Sequence, residues 1–338
     1  MAYKLNSEKF NDVIGRLSED YDIIAPALMP FEMHHSNQDV YGYRKIDSFK
    51  EIVIDKKTFF SPKEFLFPPR ETMFYFSGSQ IEEASYTGKN IIILLRACDI
   101  NGLERIKKIF LNNGDVEDTY FQRRLGKTKL WLIECDEGFD SCFCVSMNSN
   151  KTDNYSVALK FTDKGIYANL NDDIFLDVFK SFDKIEEYRV SFIEKNKLKV
   201  NVPLPENVDI DIFDNFMWNE YTQRCIACGR CNTSCVTCSC FTVQDIICDE
   251  NKNQGERRRV WTGCHIDDFS LIAGGHDYRT KNGERMRFKT MHKIYDYNKR
   301  FGENMCVGCG RCDDVCPEYI SFSKCINKLN DIIEEEKK

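Results

Sequence analysis

The sequence predicts an α/β N-terminal domain followed by a mostly α-helical C-terminal domain. In the first half, two continuous apolar runs that suit buried strands flank a helical pattern. In the second half few segments alternate like strands, and short helical patterns lie between runs of cysteine. A connector interrupted by two prolines, residues 201–207, separates the halves. We therefore place the domains at residues 1–203 and 204–338.

The first half begins with a predicted packing helix at residues 7–19, whose apolar side chains recur on one face. Two prolines indicate that residues 21–43 are irregular, and His34 and His35 within that segment are interpreted as surface histidines. Strand candidates lie at residues 51–54, 72–76, 155–161 and 190–200, and residues 173–182 are predicted to be helical.

The α/β prediction depends on a β–α–β unit. Residues 90–95 form a continuous apolar run, as expected of a strand that is covered on both faces. A helix is predicted from about Ile100 to Leu111 with Asp99 as its N-cap, and residues 129–134 supply the next buried strand. This order of elements implies a parallel pair of strands.

Composition and charge exclude several classes of protein. The chain has 338 residues, enough for about two domains with their own cores, and its net charge of −7 argues against a general nucleic-acid binder. No apolar run approaches the ~18–20 residues of a membrane-spanning helix, and the N-terminus lacks the apolar core of a signal peptide. We therefore expect a cytoplasmic protein that binds neither nucleic acid nor membrane. The basic segment 257–259 suits a solvated face or a docking site for an acidic partner.

Seventeen cysteines are many for such a chain, and most of them are clustered. In a reducing compartment this spacing is more typical of metal binding than of disulfides. Zinc sites also use C-x2-C pairs, but they usually lack a third cysteine two residues further on. The spacing therefore favours iron–sulfur clusters over zinc.

Two cysteine runs in the last third of the chain share one spacing. The later run has the pattern C-x2-C-x2-C-x3-C-P, which is typical of the ligands of a [4Fe–4S] cluster. In two-cluster ferredoxins the fourth cysteine of each run binds the other cluster. We therefore expect two clusters whose ligand sets exchange one member. The predicted sets are Cys225, Cys228, Cys231 and Cys316 for one cluster, and Cys306, Cys309, Cys312 and Cys235 for the other.

The earlier run departs from this pattern, because Val236 stands where a proline is expected and Cys238 and Cys240 follow at once. The departure leaves open whether Cys238 rather than Cys235 is a ligand. Three isolated cysteines are interpreted as non-ligands: Cys248, Cys264 and Cys325.

A third group of cysteines follows the two predicted parallel strands. Cys98 comes after the first strand, Cys135 after the second, and Cys142 and Cys144 lie in the next loop. The carboxyl ends of parallel strands meet at one edge of the sheet, where open α/β sheets bind ligands. These four thiols therefore suit a third iron–sulfur cluster, with a zinc site or buried apolar thiols as the alternatives.

The chain resembles the family of iron–sulfur A subunits of three-subunit anaerobic sulfite reductases and, more broadly, the iron–sulfur β subunits of cytosolic hydrogenase and sulfur reductase complexes. The resemblance spans nearly the whole chain. The segments that carry it are Arg96 to Asp99, Cys142 to Cys144, Cys225 to Cys240, Ala273 to Gly275, His292 to Lys293, and Cys306 to Pro317.

This resemblance implies an electron-transfer subunit without a substrate site of its own. A flavin subunit would oxidise NAD(P)H, this chain would pass on the electrons, and a sirohaem subunit would reduce sulfite to sulfide. It also implies an α-helical ferredoxin-like fold for the C-terminal half. A subunit of a hydrogenase or sulfur reductase complex would carry the same cysteines, and a zinc-stabilised interaction scaffold is the alternative from another class.

Overall fold

A computed structural model describes residues 1–30, 39–86, 88–186, 188–248, 250 and 252–337. His34 and His35, interpreted above as surface histidines, lie outside these residues. The strands of the first half are β1 (Ala2–Leu5), β2 (Tyr21–Leu28), β3 (Tyr41–Lys45), β4 (Arg70–Ser77), β5 (Gln80–Glu83), β6 (Asn90–Leu95), β7 (Thr128–Ile133), β8 (Val157–Thr162), β9 (Gly165–Leu170) and β10 (Asp183–Ile185). Its helices are α1 (Ser7–Leu17), α2 (Ala97–Leu111), α3 (Thr119–Gly126) and α4 (Leu176–Phe179).

The second half contains both helices and strands. Its helices are α5 (Asn219–Arg224), α6 (Arg230–Thr233), α7 (Asn282–Met291), α8 (Tyr297–Phe301), α9 (Arg311–Asp314) and α10 (Phe322–Glu336), with a π-helical turn at His292–Asp296 between α7 and α8. Its strands are β11 (Phe241–Ile247), β12 (Gln254–Trp261), β13 (Leu271–Ile272) and β14 (His276–Asp277).

Within the described residues, the first half is organised around an eight-stranded mixed sheet in the order β10-β1-β9-β8-β7-β6-β2-β3. Strands β2, β6, β7 and β8 run parallel, and the other neighbours are antiparallel. In β6, Ile92 and Leu94 pack on the face that also buries α1, while alternate residues such as Ile93 pack on the opposite face with α2. The predicted strand with two covered faces, and its parallel partner β7, are therefore confirmed.

Helix α1 also agrees with its prediction. Asn6 caps it by accepting a hydrogen bond from the Lys9 amide, and the predicted apolar face is buried. Helix α2 begins earlier than predicted, at Ala97, with Arg96 at the N-cap position. The prediction of Asp99 as N-cap is therefore wrong. Asp99 lies within the first turn, and its carboxylate accepts hydrogen bonds from Arg311.

Three further sequence predictions are wrong in the first half. Residues 21–43 include two strands, and Pro26 is tolerated in β2 because the pairing of β2 with β6 ends at Ile24. Residues 51–54 form no strand, since a short 3₁₀ turn at Phe49–Glu51, capped by Ser48, occupies their start. Residues 190–200 form no strand.

A second sheet joins the two predicted domains. Its order is β11-β12-β4-β5, and β12 pairs with β4 from Gln254 opposite Ser77 to Val260 opposite Arg70. The sequence predicted a mostly α-helical C-terminal half, and this prediction is wrong. The hairpin of β11 and β12 lies in that half and adds two strands to a sheet of the first half. Residues 1–203 and 204–338 thus share one sheet.

The two halves also share a core. Val236 and Val307, from the two cysteine runs, are buried in the cluster that contains Leu103 and Ile106 of α2. Gly102 of α2 makes this approach possible, since a Cβ there would lie 2.4 Å from a methyl carbon of Val236. The cysteine runs are thereby held against the carboxyl edge of the large sheet.

Candidate iron–sulfur centre

The four cysteines of the third thiol group, Cys98, Cys135, Cys142 and Cys144, lie at that carboxyl edge. Cys98 is in the first turn of α2, and Cys135 follows β7. The Cys144 thiol interacts with Cys142 and Cys135, and the Cys98 thiol with Cys144. Burial, followed by the neighbouring Cys142 thiol, raises the pKa of Cys144 to about 12. The structure therefore brings the four predicted thiols together, and burial raises the pKa of Cys98, Cys135 and Cys144, so that their thiolates are favoured only by a nearby positive centre.

The two cysteine runs have the same backbone geometry. Gly229 and Gly310 take φ values of +70° and +71° just before the short helices α6 and α9. In the earlier run the amide of Ala227 lies 3.5 Å from Cys225 Sγ, and in the later run the amide of Gly308 lies 3.4 Å from Cys306 Sγ. Both runs thus form a loop whose backbone N–H groups point at sulfur, an arrangement that stabilises anionic sulfur.

The first thiol group consists of Cys225, Cys228, Cys231 and Cys316. All four line one cavity, together with Cys312 and Lys289. Cys316 therefore lies with the three leading cysteines of the earlier run, although it belongs to the later run. The exchange of ligands between the two runs stays a prediction, since Cys312 of the later run lines the same cavity.

The second thiol group consists of Cys235, Cys306, Cys309 and Cys312. The thiol of Cys235 interacts with each of the other three. Burial raises the pKa of Cys306 to about 12, even though the Gly308 amide opposes this shift. The structure places Cys235 at this group, whereas Cys238 interacts most strongly with Cys240.

The second thiol group adjoins both of the others. Cys312 of the second group also lines the cavity of the first group, and Cys309 interacts with Cys98 of the third. The loop that carries Cys142 and Cys144 is bound directly to the later run. The Phe143 amide donates to the Gly308 carbonyl at 2.7 Å, and the Ser149 hydroxyl donates to the Val307 carbonyl at 2.6 Å.

Three lysines are buried among these thiols: Lys63, Lys289 and Lys293. Burial alone lowers the pKa of each, and cysteine sulfurs are the anionic groups that oppose this effect. For Lys289 and Lys293 the sulfurs prevail, and the pKa of each is raised above the usual value, whereas for Lys63 burial prevails and the pKa is lowered. A buried ammonium group is costly unless it is paired. Lys289 and Lys293 therefore suit a group at the thiols with net negative charge, such as a thiolate-bound iron–sulfur cluster.

Sequence reasoning missed the role of these lysines. Lys289 and Lys293 are four residues apart, so helical spacing could have placed them on one face. Lys63 lies far from the cysteine runs in sequence, and no local signal identifies it. Its ammonium donates to the carbonyls of Asn232 and Cys238, at 3.1 and 3.0 Å.

A buried ion pair fixes the later run against α2. Arg311, between Cys309 and Cys312 in sequence, donates to both carboxylate oxygens of Asp99, at 2.5 and 2.8 Å. Burial would raise the pKa of Asp99, but the Arg311 guanidinium lowers it below its usual value. Tyr43 also donates to this carboxylate, at 2.8 Å. The charge of Arg311 is thus neutralised within the protein, so its main role is to position the cysteine loop.

Among the described residues, no set of three or more His, Cys, Asp or Glu side chains is arranged to hold a single metal ion. A cubane differs from a single ion, because its four thiolates bind four separate iron atoms and need not meet at one point. Each of the three thiol groups has four cysteines, the number that such a cluster needs, and Lys289 and Lys293 place positive charge nearby.

The basic segment 257–259 is not a free docking patch. Arg257 pairs with Asp245, Arg258 with Glu256, and Arg259 is buried against Glu71 and Asp118. These ion pairs stabilise the second sheet.

Of the cysteines interpreted as non-ligands, Cys248 is exposed and Cys325 is buried in α10, where it contacts the Thr290 hydroxyl at 3.5 Å.

Comparison with known proteins agrees with this geometry. Residues 224–320 match the family model of a 4Fe–4S dicluster domain. The chain is also similar to the sulfhydrogenase 2 subunit beta of Pyrococcus furiosus, with 29% identity over 345 positions that cover 97% of this chain and 98% of the relative. No solved structure matches the chain. In the part of the chain that the structure describes, no helix is long and apolar enough to cross a membrane.

The exchange of Cys316 between the runs can be tested by counting iron in double variants. We expect Cys316→Ala to remove about four iron atoms per chain. Adding Cys231→Ala should remove no further iron, because both residues lie at the same cavity. Adding Cys309→Ala instead should remove about eight in total. Iron analysis of anaerobically purified protein distinguishes these results, and the opposite pattern would assign Cys316 to its own run.

Proposed function

We propose that this chain is an electron-transfer iron–sulfur subunit of a multi-subunit oxidoreductase, of the hydrogenase or sulfur reductase type. The observation that carries the proposal is the similarity to a sulfhydrogenase β subunit over almost the full length of both chains. The contact of the second thiol group with the first and the third supports it, because electron transfer between distant partners needs closely spaced redox centres.

The proposed ligands are the three thiol groups described above. The first and second groups would each hold one [4Fe–4S] cluster, and the third group would hold another. Such clusters accept and release single electrons. The chain's own residues hold the sulfurs in place and offset their negative charge with the buried Lys289 and Lys293.

The comparisons support hydrogenase-type chemistry better than sulfite reduction, which was the main expectation from the resemblance. A sirohaem sulfite-reducing partner therefore becomes the second candidate, and a nickel–iron hydrogenase partner the first. In both cases we propose a flavin subunit that exchanges electrons with NAD(P)H, a cytoplasmic location, and no substrate site on this chain. We propose no nucleic-acid or membrane partner.

Anaerobic purification of the tagged chain from its native host tests the proposal. We expect a brown protein with about eight to twelve iron atoms per chain, as two or three cubanes require, and a broad visible absorption that dithionite bleaches. Co-purified nickel, and bleaching by hydrogen, would support the hydrogenase assignment. A co-purified sirohaem spectrum would support sulfite reduction instead.

A zinc-stabilised scaffold is the outcome that would contradict electron transfer altogether. In that case the protein would be colourless, with zinc and without acid-labile sulfide. The thiol groups would then serve folding rather than redox chemistry.

A further inference from the structure

We propose that the hydroxyl of Thr237 donates a hydrogen bond to Cys235 Sγ and thereby raises the reduction potential of the cluster at the second thiol group. Thr237 is then a positioning residue, since it acts through Cys235 and binds no iron itself. The inference rests on the proposed function, because it concerns one of the clusters that the proposed function assigns to this chain.

A tight turn holds Thr237 beside Cys235. The Cys238 amide donates to the Cys235 carbonyl at 3.3 Å, which closes the turn, and Val236 within the turn is fully buried in the cluster that contains Leu103. The Thr237 side chain is 0% exposed, and its Oγ1 lies 3.3 Å from Cys235 Sγ. The earlier run therefore carries a buried hydroxyl next to its fourth cysteine.

Lys293 decides the direction of this hydrogen bond. Its Nζ lies 2.9 Å from Thr237 Oγ1 and must be the donor, because an ammonium group has three donors and no acceptor. A hydroxyl carries a single proton, and the oxygen of Thr237 already accepts from Lys293. When Cys235 is a thiolate ligand, its sulfur can only accept. The hydroxyl proton of Thr237 is then directed at Cys235 Sγ.

Lys293 is itself held between the two cysteine runs. It lies in the π-helical turn at His292–Asp296, and such turns are frequent at functional sites. Its carbonyl accepts from the amides of Met305 and Cys306 at 2.8 and 3.3 Å, and its Nζ also lies 3.8 Å from Met305 Sδ. Lys293 thus contacts the later run near Cys306 and the earlier run through Thr237. These runs supply the cysteines of the second thiol group.

A hydroxyl at Cys235 Sγ favours the reduced form of the cluster. Reduction adds negative charge, and hydrogen bonds to the sulfurs are among the factors that set the potential of such a cluster. The ammonium of Lys293 polarises the hydroxyl and strengthens its bond to sulfur, because linked hydrogen bonds reinforce one another in a buried site. The second thiol group adjoins both of the others, so its potential affects electron transfer to either of them.

A purely structural role is the alternative for Thr237, since its oxygen also satisfies the buried charge of Lys293. In that case replacement of the hydroxyl would lower stability and leave the potentials of all clusters unchanged. Reduction potential therefore separates the two roles, whereas a measurement of stability does not.

A redox titration of the anaerobically purified full-length chain, followed by electron paramagnetic resonance, tests the proposal. In Thr237→Val we expect the midpoint potential of one cluster to fall by about 60 mV, which is a tenfold change in its ratio of oxidised to reduced forms. Thr237→Ser keeps the hydroxyl and should keep the wild-type potentials. Thr290→Val is the matched control and should also keep them. Thr290 is 0% exposed, and its hydroxyl lies 3.5 Å from the sulfur of Cys325, which is outside the three thiol groups.

Unchanged potentials in Thr237→Val would overturn the proposal. Equal shifts in Thr237→Val and Thr290→Val would also overturn it, because any buried hydroxyl would then have the same effect. If Thr237→Val loses iron, Thr237→Ala takes its place in the comparison. Loss of iron from both variants, with Thr237→Ser intact, would show a structural role instead. A wild-type protein without clusters that dithionite reduces would contradict the proposed function itself.

Discussion

Replacing Asp99 by asparagine is expected to lower the free energy of unfolding by about 3–5 kcal/mol. The substitution leaves the Arg311 guanidinium buried without its counter-charge. The pair is bidentate, with contacts of 2.5 and 2.8 Å, and its side chains are 0% and 3% exposed. Because Asp99 is in α2 and Arg311 is in the later cysteine run, the loss should loosen the contact between the two halves of the chain.

The midpoint of urea unfolding, measured anaerobically, tests this expectation. Asp245→Asn is the matched control, since Asp245 forms a bidentate pair with Arg257 at 2.6 and 2.7 Å. Both side chains of that pair are more than 40% exposed, and an exposed pair contributes only about 0–1 kcal/mol. Equal losses in the two variants would show that burial of the Asp99–Arg311 pair is unimportant for stability.

A large loss of both iron and stability is also expected from Gly310→Ala. A Cβ at this position would lie 2.1 Å from the backbone oxygen of Ser141, and the residue has a φ of +71°. The loop that carries Cys142 and Cys144 must therefore move away from the later run. We expect the variant to lose about four iron atoms, those of the third thiol group, and to be destabilised by more than the ~1 kcal/mol cost of alanine in this conformation.

Gly302→Ala separates the steric effect from the conformational one. Gly302 has nearly the same φ, +74°, but no atom lies within 4 Å of its added Cβ. This control should show the conformational cost alone and keep all of its iron. Iron analysis and urea unfolding of both variants provide the comparison. If Gly310→Ala keeps its iron, the close packing of residue 310 on Ser141 is not needed for the third site.

Sequence patterns predicted those parts of the fold that depend on local spacing. The apolar run of β6 and the one-sided helix α1 could be identified because burial repeats with the period of the element itself. The hairpin of β11 and β12 was missed. Its pairing with β4 joins segments about 180 residues apart, and no local pattern specifies that pairing.

The same distinction applies to the candidate site. Cysteine spacing predicted the first two thiol groups, including the exchange of Cys316 and Cys235, and the ends of two buried strands predicted the third group. The structure brings the members of these groups together, and their role as ligands stays a prediction. The interpretation of Cys264 as a non-ligand also stays a prediction, and only the hairpin places that residue beside Cys240. The contact of Lys63 with the earlier cysteine run could likewise not be predicted from the sequence, because the two are far apart along the chain.

The sequence by itself determined the cysteine loops and the buried strands, since a short loop or a strand is specified by residues a few positions apart. Only the tertiary structure decided how the loops meet the sheet. Asp99 and Arg311 are 212 residues apart and Lys63 and Asn232 are 169 apart, yet each pair is in direct contact. Such contacts form when whole elements pack together, so the charges that surround the thiols depend on the folded chain rather than on any local motif.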